Sequence, residues 1–475
     1  METGTQEAVA SPSAALDGGP ASLTFHGAAG TVTGSRFMVM TERSRVLVDA
    51  GLFQGAAVWR RHNWDPPFVD PALVDAVALT HAHLDHSGYL PVLARYGFRG
   101  RIICSDGTAR LAAIVLRDAA HLQEEEAEHA RSRGYSKHED PRPLFDTADA
   151  EAAIALLHPV EMGTRHPVTS EVAVTLRPAG HILGSAFAEL EVDGTRVLFS
   201  GDLGRPGHEL LNPPPAPHPC DVAVVESTYG DEPHPGDSRD ELAAVVKRTV
   251  ARGGSCLLPA FAVDRTPVVV RTLARLRAEH RIPDVPVYVD SPMALRAWEV
   301  YREALAAHDP QLREDLRHDD LDWGRWVVEV TDREGSERLN DPPHPCVIVS
   351  ASGMATGGRV LHHLRGMLPH PRHSVVLTGF QVPGTRGQAL AEGARHLKIH
   401  GYYVPVRAEV VSLRGFSAHA DAGQVEAWLG HLPAPQVAYV VHGEPAAAAA
   451  LADRLEDHLG WNAVVPRYGE RVRLS

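Results

Sequence analysis

Histidine and aspartate side chains are concentrated in one short segment, THAHLDHSG, at residues 80–88. The segment follows the apolar run VDAVALT, which predicts a strand, and an extended backbone there would point His81 and His83 to the same side. Asp85 and His86 would follow at the turn into a helix. Three imidazoles and one carboxylate suit zinc, and together they are too many for one tetrahedral ion. The segment therefore predicts two metal ions.

Two further candidate ligands lie at the ends of predicted strands. His181 occurs in AGHILGSA, and Asp202 follows an apolar strand in LFSGDLG, where its carboxylate could bridge two ions. Taken singly, they would be better explained as an ordinary loop histidine and a turn-capping carboxylate. Together with the HAHLDH segment they complete a set of ligands for two metals.

The pattern of strands and helices changes along the chain. Short strand patterns dominate the first half, whereas from about residue 230 strands and helices alternate regularly, which indicates a parallel α/β sheet. After 395 the chain gives further strands and helices, so a domain at 229–394 is predicted to interrupt a host domain formed by 21–228 and 395–475. Residues 1–20 lack the basic and apolar parts of a secretory signal and are predicted to be a disordered tail.

Composition limits the class of protein. A length of 475 residues with 44% apolar content favours two globular domains, and no apolar run approaches the length of a transmembrane helix. The four cysteines, which are far apart in sequence and lie in apolar runs, predict buried thiols in a reducing cytoplasm. A net charge of −14 argues against binding of nucleic acid by an overall positive field, so any such contact requires a local groove.

The order and setting of Asp49, HAHLDH, His181 and Asp202 resemble the metallo-β-lactamase superfamily. The motifs GAAGTVTGS, VESTYG, PAFAVDRT, DSPMA, ASGMATGGR, GFQVPGTRG, GFSAHAD and VHGE resemble its β-CASP branch of metallo-ribonucleases, and the match spans nearly the whole chain. The resemblance implies an α/β protein: a four-layer αββα metallo-β-lactamase domain with an inserted parallel-sheet β-CASP domain. One departure is Asp264, where relatives usually have glycine.

The resemblance also implies roles for individual residues. Asp49 would orient the site from outside the ligand shell, Asp202 would bridge the two ions, and Asp85 would belong to the catalytic set. The additional motifs of the family map onto Glu226, His419 and His442, and a histidine at the last position resembles the members that cleave RNA. One zinc would be held by His81, His83 and His181, and the other by Asp85, His86 and His442.

This ligand set implies hydrolysis of a phosphodiester by a hydroxide shared between two Zn²⁺ ions, leaving a 5′-phosphate and a 3′-hydroxyl. His419, supported by Glu226, is the predicted general acid, and a purely structural His–Glu pair is the alternative. A glycine-rich turn after CVIVSAS suits an RNA phosphate, although it is about as often mere turn geometry. The residues expected to contact the backbone of single-stranded RNA are Arg265, Ser352, Gly353 and Thr385.

Three other functions share parts of this pattern. A thioesterase or lactonase of the same fold would contain HAHLDH and Asp202 but would have no need for the inserted domain. A catalytically dead RNA-binding scaffold would have lost ligands, whereas every ligand position is filled here. A DNA nuclease is disfavoured by His442. Endonucleolytic and exonucleolytic cleavage both fit the pattern, and the resemblance leaves a homodimer as an alternative to a monomer.

Overall fold

The computed structural model describes residues 20–133, 140–234, 236, 238–316 and 326–474. The tail predicted at 1–20 lies, apart from Pro20, outside these residues. The strands are β1 (Ser22–Phe25), β2 (Phe37–Met40), β3 (Arg45–Val48), β4 (Ala76–Ala78), β5 (Arg101–Cys104), β6 (Leu157–Pro159), β7 (Arg165–Pro167), β8 (Val172–Pro178), β9 (Ala186–Val192), β10 (Thr195–Phe199), β11 (Val222–Glu226), β12 (Cys256–Pro259), β13 (Val287–Val289), β14 (Val327–Glu329), β15 (Val347–Ser350), β16 (Ser374–Leu377), β17 (His396–Ile399), β18 (Tyr402–Pro405), β19 (Glu409–Ser412), β20 (Val437–Val441), β21 (Ala463–Val464) and β22 (Arg471–Arg473).

Thirteen α-helices occur in the described part of the chain, together with short 3₁₀ turns at Pro71–Leu73 and Arg414–Phe416. The helices are α1 (Ala57–Arg61), α2 (Leu84–Ser87), α3 (Leu90–Arg95), α4 (Asp106–Arg133), α5 (Thr147–Ile154), α6 (Arg239–Ala251), α7 (Arg265–Ala278), α8 (Pro292–Ala306), α9 (Arg333–Arg338), α10 (Val360–Met367), α11 (Arg386–Ala391), α12 (Ala422–Leu429) and α13 (Pro445–Leu459).

Two seven-stranded sheets form the host domain. Their strand orders are β22-β1-β2-β3-β4-β5-β6 and β21-β20-β11-β10-β9-β8-β7. Alternate side chains of both sheets, such as Phe25 and Val48 from the first and Val197 and Val224 from the second, share one apolar core. The two sheets therefore pack face to face, as expected for strands with an apolar inner face.

Helices cover the outer faces of both sheets. Buried leucines of α3 and α4 pack against the first sheet in one cluster, and α12 and α13 cover the second sheet in another. Asp421 begins α12 with a capping box, and Gly460 ends α13 in the left-handed conformation, so both helices have defined ends. The layers run helix, sheet, sheet, helix, which confirms the predicted αββα architecture.

A third sheet, of order β14-β13-β15-β12-β16-β19, forms the insert, and all of its strand pairs are parallel. The predicted parallel α/β insert is thus present. Its last strand lies beyond the boundary expected at 394, because β19 (Glu409–Ser412) pairs with β16. The reason is physical, because a short apolar strand such as AEVVSL fits the edge of either sheet, and only pairing decides between them.

In the described ranges, no helix has the combination of length and hydropathy that crossing a bilayer requires. The four cysteines are all buried and unpaired, as expected.

Candidate metal centre

The site lies at one edge of the β-sandwich, where several strands end together. In the first sheet, β3 and β4 are parallel with Val48 opposite Ala78, so the residues that follow them are neighbours. In the second sheet, β10, β11 and β20 are parallel, with Phe199 opposite Val224 and Glu226 opposite Val441. Because parallel strands present their carboxyl ends at the same edge, the predicted ligands after these strands converge there.

Three histidines converge on one oxygen of Asp202. His81 Nε2 lies 3.5 Å from Asp202 Oδ2, and His181 Nε2 lies 3.6 Å from the same oxygen. His83 Nδ1 is 3.1 Å from His81 Nε2 and 3.3 Å from His181 Nε2. These four side chains form a group whose ligand atoms all lie within 4.8 Å of one another.

A second group lies on the other oxygen of Asp202. His86 Nε2 is 3.2 Å and His442 Nδ1 is 3.5 Å from Asp202 Oδ1. His442 Nε2 lies 3.3 Å from His86 Nε2 and 3.6 Å from Asp85 Oδ2. Each oxygen of the Asp202 carboxylate therefore faces a different cluster of donors, which is the arrangement that a bridging ligand requires.

The donor set fits zinc, because its buried polar atoms are not satisfied within the protein. His83 Nε2, His181 Nδ1 and Asp202 Oδ1 are buried and have no hydrogen-bond partner among the described residues. Buried polar groups are normally paired, and leaving several unpaired in one place costs free energy. Imidazole nitrogens and carboxylate oxygens within reach of one another are also the ligands that zinc prefers. A cation at the second group would satisfy Asp202 Oδ1, whereas His83 Nε2 and His181 Nδ1 are the ring nitrogens opposite those that face the first group.

Asp49 supports the site through contacts with Thr80 and His86. Its Oδ1 accepts a hydrogen bond from Thr80 N at 2.7 Å, and its Oδ2 accepts one from Thr80 Oγ1 at 2.8 Å and lies 2.7 Å from His86 Nδ1. Pairing of Nδ1 with this carboxylate directs His86 Nε2 towards Asp202. Thr80 was not predicted as part of the site, although it stands at the start of the histidine motif.

His419 and Glu226 form a pair beside the two groups. His419 Nδ1 lies 3.1 Å from Glu226 Oε2 and 3.9 Å from Asp202 Oδ2. Glu226 is itself fixed, because its Oε2 accepts from Thr228 Oγ1 at 2.6 Å and its Oε1 accepts from Leu203 N. The predicted supporting contact between the two residues is thus present in the structure.

Burial and neighbouring charges shift the pKa values of these groups in different directions. Burial holds the pKa of His81 and His181 well below the usual value, which keeps their imidazoles neutral. Burial opposes the charged forms of His86 and Asp202 as well, but mutual attraction prevails: Asp202 and Asp49 raise the pKa of His86, and His442 with His86 lowers that of Asp202. A cation bound at His86 Nε2 would compete with a proton for that nitrogen.

A cavity between the host domain and the insert opens onto this centre. It is lined by His83, Asp85, Asp202, His419 and His442 from the host and by residues of the insert. The lining residues from the insert include Phe261, Arg265, Ser352, Thr356 and Phe380. A substrate that entered this cavity would thus contact both domains.

The predicted RNA contacts divide into two pairs. Ser352 and Arg265 line the cavity, although the Arg265 guanidinium already donates to Thr378 O. Thr385 and Gly353 are buried and are not among the described lining residues. The Thr385 hydroxyl accepts from Gln388 N and donates to Val382 O, so it caps α11 instead of facing the cavity. The contact of Thr385 with RNA stays a prediction.

Gly353 is closely packed against another loop. A Cβ atom added to it would lie 2.9 Å from the backbone nitrogen of Phe261, so glycine is required for the approach of the two loops. Its contact with RNA stays a prediction.

Asp264, the departure from the family pattern, takes part in a buried network that links the two domains. It has φ +69° and ψ −48°, and Arg265 N donates to Val263 O across it at 3.0 Å, which makes a γ-turn. Its carboxylate accepts from Tyr301 Oη at 3.0 Å and from His208 Nε2 at 2.9 Å. Tyr301 Oη in turn accepts from Leu183 N at 2.9 Å, two residues beyond His181.

Comparisons with known proteins agree with this arrangement. The chain matches the beta-lactamase superfamily domain over residues 44–252, the Beta-Casp domain over 268–390, and the Zn-dependent metallo-hydrolase RNA specificity domain over 403–466. A protein of unknown function from Enterococcus faecalis V583 has a similar fold, with a TM-score of 0.50 and 14% identity over 96% of this chain and 100% of that chain.

Curated relatives align over most of their length. Ribonuclease TTHA0252 of Thermus thermophilus is 37% identical, over 94% of this chain and 98% of the relative. The RNase J-like protein of Methanocaldococcus jannaschii is 31% identical, over 89% of this chain and 92% of the relative. Transcription termination factor FttA of the same organism is 29% identical, over 95% of this chain and 72% of the relative. The chain belongs to the β-CASP branch of the metallo-β-lactamase superfamily, the branch of metallo-ribonucleases.

Proposed function

We propose that this chain is a ribonuclease that hydrolyses phosphodiester bonds of single-stranded RNA at a centre of two zinc ions. The observation that carries the proposal is the position of Asp202, whose two oxygens face two separate groups of buried donors. One ion would be held by His81, His83 and His181, and the other by Asp85, His86 and His442, with Asp202 between them.

Zinc, when bound, would lower the pKa of a coordinated water and neutralise charge that develops on the phosphate. The chain's own residues have other tasks. Asp49 fixes the orientation of His86 through Nδ1. We assign to Asp85 a place in the catalytic set because it lies both on the cavity and beside His442.

His419 is the proposed general acid. Because its Nδ1 faces Glu226, its Nε2 is the ring nitrogen left to donate a proton to the departing 3′-oxygen. Burial opposes protonation of His419, but Glu226 and Asp202 raise its pKa above the usual value, which favours the imidazolium form. The products would carry a 5′-phosphate and a 3′-hydroxyl.

RNA as substrate is supported by His442, which stands where the resemblance separates members that cleave RNA from those that process DNA. The names of two relatives, a ribonuclease and an RNase J-like protein, and the RNA specificity domain matched at 403–466 point the same way. In the cavity, we propose that Ser352 and Arg265 contact the RNA backbone.

Three further proposals concern localisation, domain boundaries and oligomeric state. The four buried, unpaired cysteines favour a reducing cytoplasm. A host domain of 21–228 and 413–475 around an insert of 229–412 is the division that the strand pairing favours. A homodimer is proposed from the resemblance alone.

The proposed function is tested by cleavage of end-labelled single-stranded RNA beside a DNA of the same sequence, with the zinc content of the purified protein measured. We expect two zinc ions per chain and cleavage selective for RNA, with a product ladder that shows endonucleolytic or exonucleolytic action. Bound zinc without cleavage of either nucleic acid would contradict the proposal and favour a small-molecule hydrolase; preferential cleavage of the DNA would favour a DNA nuclease.

A further inference from the structure

Aromatic side chains cluster on the surface beside the mouth of the cavity. Trp59 stacks on Phe53 with ring centroids 5.8 Å apart and an interplanar angle of 11°. His62 stacks on Tyr468 at 4.8 Å, and Trp59 lies 6.3 Å from the same tyrosine. Tyr468 is 42% exposed. Trp64, which follows His62 by two residues and whose backbone nitrogen donates to Arg61 O, is 62% exposed. We call Trp59, His62, Trp64 and Tyr468 the aromatic platform.

The platform is held rigidly to the sheet beneath it. The Asn63 side chain accepts from Phe53 N at 2.9 Å and donates to Phe53 O at 2.8 Å, so it fixes the chain on both sides of that ring. Arg36, which is buried, donates to Asn63 Oδ1 at 3.1 Å and lies 5.0 Å from the Phe53 ring centroid. A surface that is already ordered loses little entropy when a ligand binds to it.

Positive charge accompanies the aromatic rings. Arg60 and Arg61 are exposed and form no ion pair with any residue in the described ranges. Burial lowers the pKa of Arg386 on the insert, Glu126 opposes this effect, and the positive charge of Arg60 adds to it. The only acidic contact within the platform is that of His62 with Asp65, at 2.7 Å, as far as the structure describes it. In a chain of net charge −14, Arg60 and Arg61 thus carry positive charge that no ion pair in the described ranges neutralises.

The platform is continuous with the catalytic cavity. Gln54, which directly follows Phe53, lines the cavity, and its backbone nitrogen is held by Thr33 Oγ1 at 2.8 Å. Gly55 lies so close to the insert that an added Cβ atom would stand 2.4 Å from Pro383 O. The chain thus passes from the cavity wall, across the contact between the two domains, to the rings of the platform within a few residues.

We propose that the aromatic platform, with Arg60 and Arg61, binds the part of a single-stranded RNA that extends beyond the catalytic cavity. Bases would stack on the exposed rings, and phosphates would lie against the guanidinium groups, a combination that suits single strands without regard to sequence. This inference rests on the proposed function. It gives the substrate a second contact region, on the host domain, and predicts that affinity increases with RNA length.

The test uses phosphorothioate RNA, which resists hydrolysis, and the full-length zinc-loaded protein. Binding is measured by fluorescence anisotropy for a trinucleotide and for an oligonucleotide of about 15 residues. Trp64→Ala should weaken binding of the longer RNA about tenfold, the loss expected for one stacked base, and should leave the trinucleotide unaffected. Arg60→Gln with Arg61→Gln should lower the slope of log affinity against log salt by about 1.4, because two phosphate contacts are lost.

Tyr96→Ala is the control, since this tyrosine at the end of α3 is 56% exposed, comparable with the 62% of Trp64, and is not one of the platform residues. It should bind both RNAs as the wild type does. Unchanged binding of the longer RNA by the platform variants would overturn the inference alone and would leave the rings as a surface for a protein partner. Equal weakening of the trinucleotide would also overturn it. Failure of the wild type to bind either RNA would instead overturn the proposed function.

Discussion

Two buried aspartates of this molecule follow strands and contact histidine, yet their surroundings differ in one decisive respect. Asp290, at the end of β13, accepts from Arg359 Nη1 at 2.6 Å and from Ser336 Oγ at 2.6 Å, and lies 2.7 Å from His363 Nε2. Both of its oxygens are thus paired within the insert. Asp202, beyond β10, has a buried oxygen without a hydrogen-bond partner among the described residues and is surrounded by histidines at 3.2 to 3.9 Å.

The difference separates a structural network from a binding site. A buried carboxylate whose oxygens are paired with a charged side chain and with hydrogen-bond donors has no oxygen left to bind a ligand. It fixes the elements that it joins. Asp290 joins β13, α9 and α10 in this way. A carboxylate with an unsatisfied oxygen among further unsatisfied imidazoles is incomplete without a cation. Asp290 and Asp202 are the same type of residue and are nearly equally buried. What distinguishes the metal site is therefore that polar atoms there lack hydrogen-bond partners.

The largest effect is expected for Asp202→Ala. Loss of the shared carboxylate leaves neither group of histidines with a bridging anion, so zinc content should fall from two ions per chain, and RNA cleavage should fall by about 10⁴-fold or more. Metal analysis and cleavage of end-labelled RNA measure both effects. Asp341→Ala, at an exposed ion pair with Arg372, is the control and should change neither quantity. Retention of both zinc ions in the Asp202 variant would mean that this carboxylate does not bridge them.

His419→Ala should separate catalysis from metal binding. We expect full zinc content and a cleavage rate lowered by about 10²- to 10⁴-fold, the contribution typical of a general acid. Glu226 and Asp202 raise the pKa of His419 although burial opposes this. The protonated form is therefore lost only as pH rises through that raised pKa, and the rate should fall there. The variant should lack this alkaline decline. A loss of zinc together with activity would make His419 a ligand and remove it as the acid.

Asp290→Ala tests the aspartate whose two oxygens are both paired. It leaves Arg359 and the buried His363 without their anion, which should lower the free energy of unfolding by about 3–5 kcal/mol. Urea titration measures this loss, and zinc content per folded chain should stay at the wild-type value. His363→Gln, which retains a donor near Asp290, should lose less. A drop in zinc content with unchanged stability would reverse the roles assigned to the two aspartates.

Much of the metal centre could be predicted from the sequence, because its ligands stand next to recognisable strands. The HAHLDH segment, His181 and Asp202 each follow an apolar run, and parallel strands bring their ends together. What the pattern could not supply was the pairing of single atoms. Thr80 and Thr228, which bind the carboxylates of Asp49 and Glu226, are unremarkable as residue types.

Sequence patterns were least informative where two loops approach each other. Thr385 and Gly353 are expected to contact RNA because of their glycine-rich surroundings, and the pattern did not show that the first caps a helix and that the second admits Phe261. The fold was predicted in its layers but not in the place of β19, whose partner strand is distant in sequence. Local patterns predict elements, whereas loop contacts and edge pairing depend on the assembled structure.

The smallest effect is expected for Asp264→Gly, which replaces a third buried aspartate by the residue usual in relatives. Both oxygens of Asp264 are paired, as those of Asp290 are. Its partners are Tyr301 and His208, which join the insert to the host domain. Glycine relieves the cost of a γ-turn, about 1 kcal/mol, but abandons two hydrogen bonds to a carboxylate, each worth about 1.5–3 kcal/mol. We therefore expect a net loss of about 2–5 kcal/mol by urea titration. Asp264→Asn, which keeps an acceptor and tolerates positive φ, should lose less.

The activity of the same variant shows how far this junction supports the metal centre. Tyr301 Oη accepts from Leu183 N close to His181, so a loosened tyrosine should increase hydrogen exchange at the Leu183 amide. Zinc content should be retained, because all of the proposed ligands remain. If exchange at Leu183 stays as slow as in the wild type while stability falls, the network serves only to hold the two domains together. If zinc is lost as well, the hydrogen-bonded network around Asp264 is coupled through the His181 loop to the histidines around Asp202. The metal centre and that network are then independent of each other only while Asp264 is present.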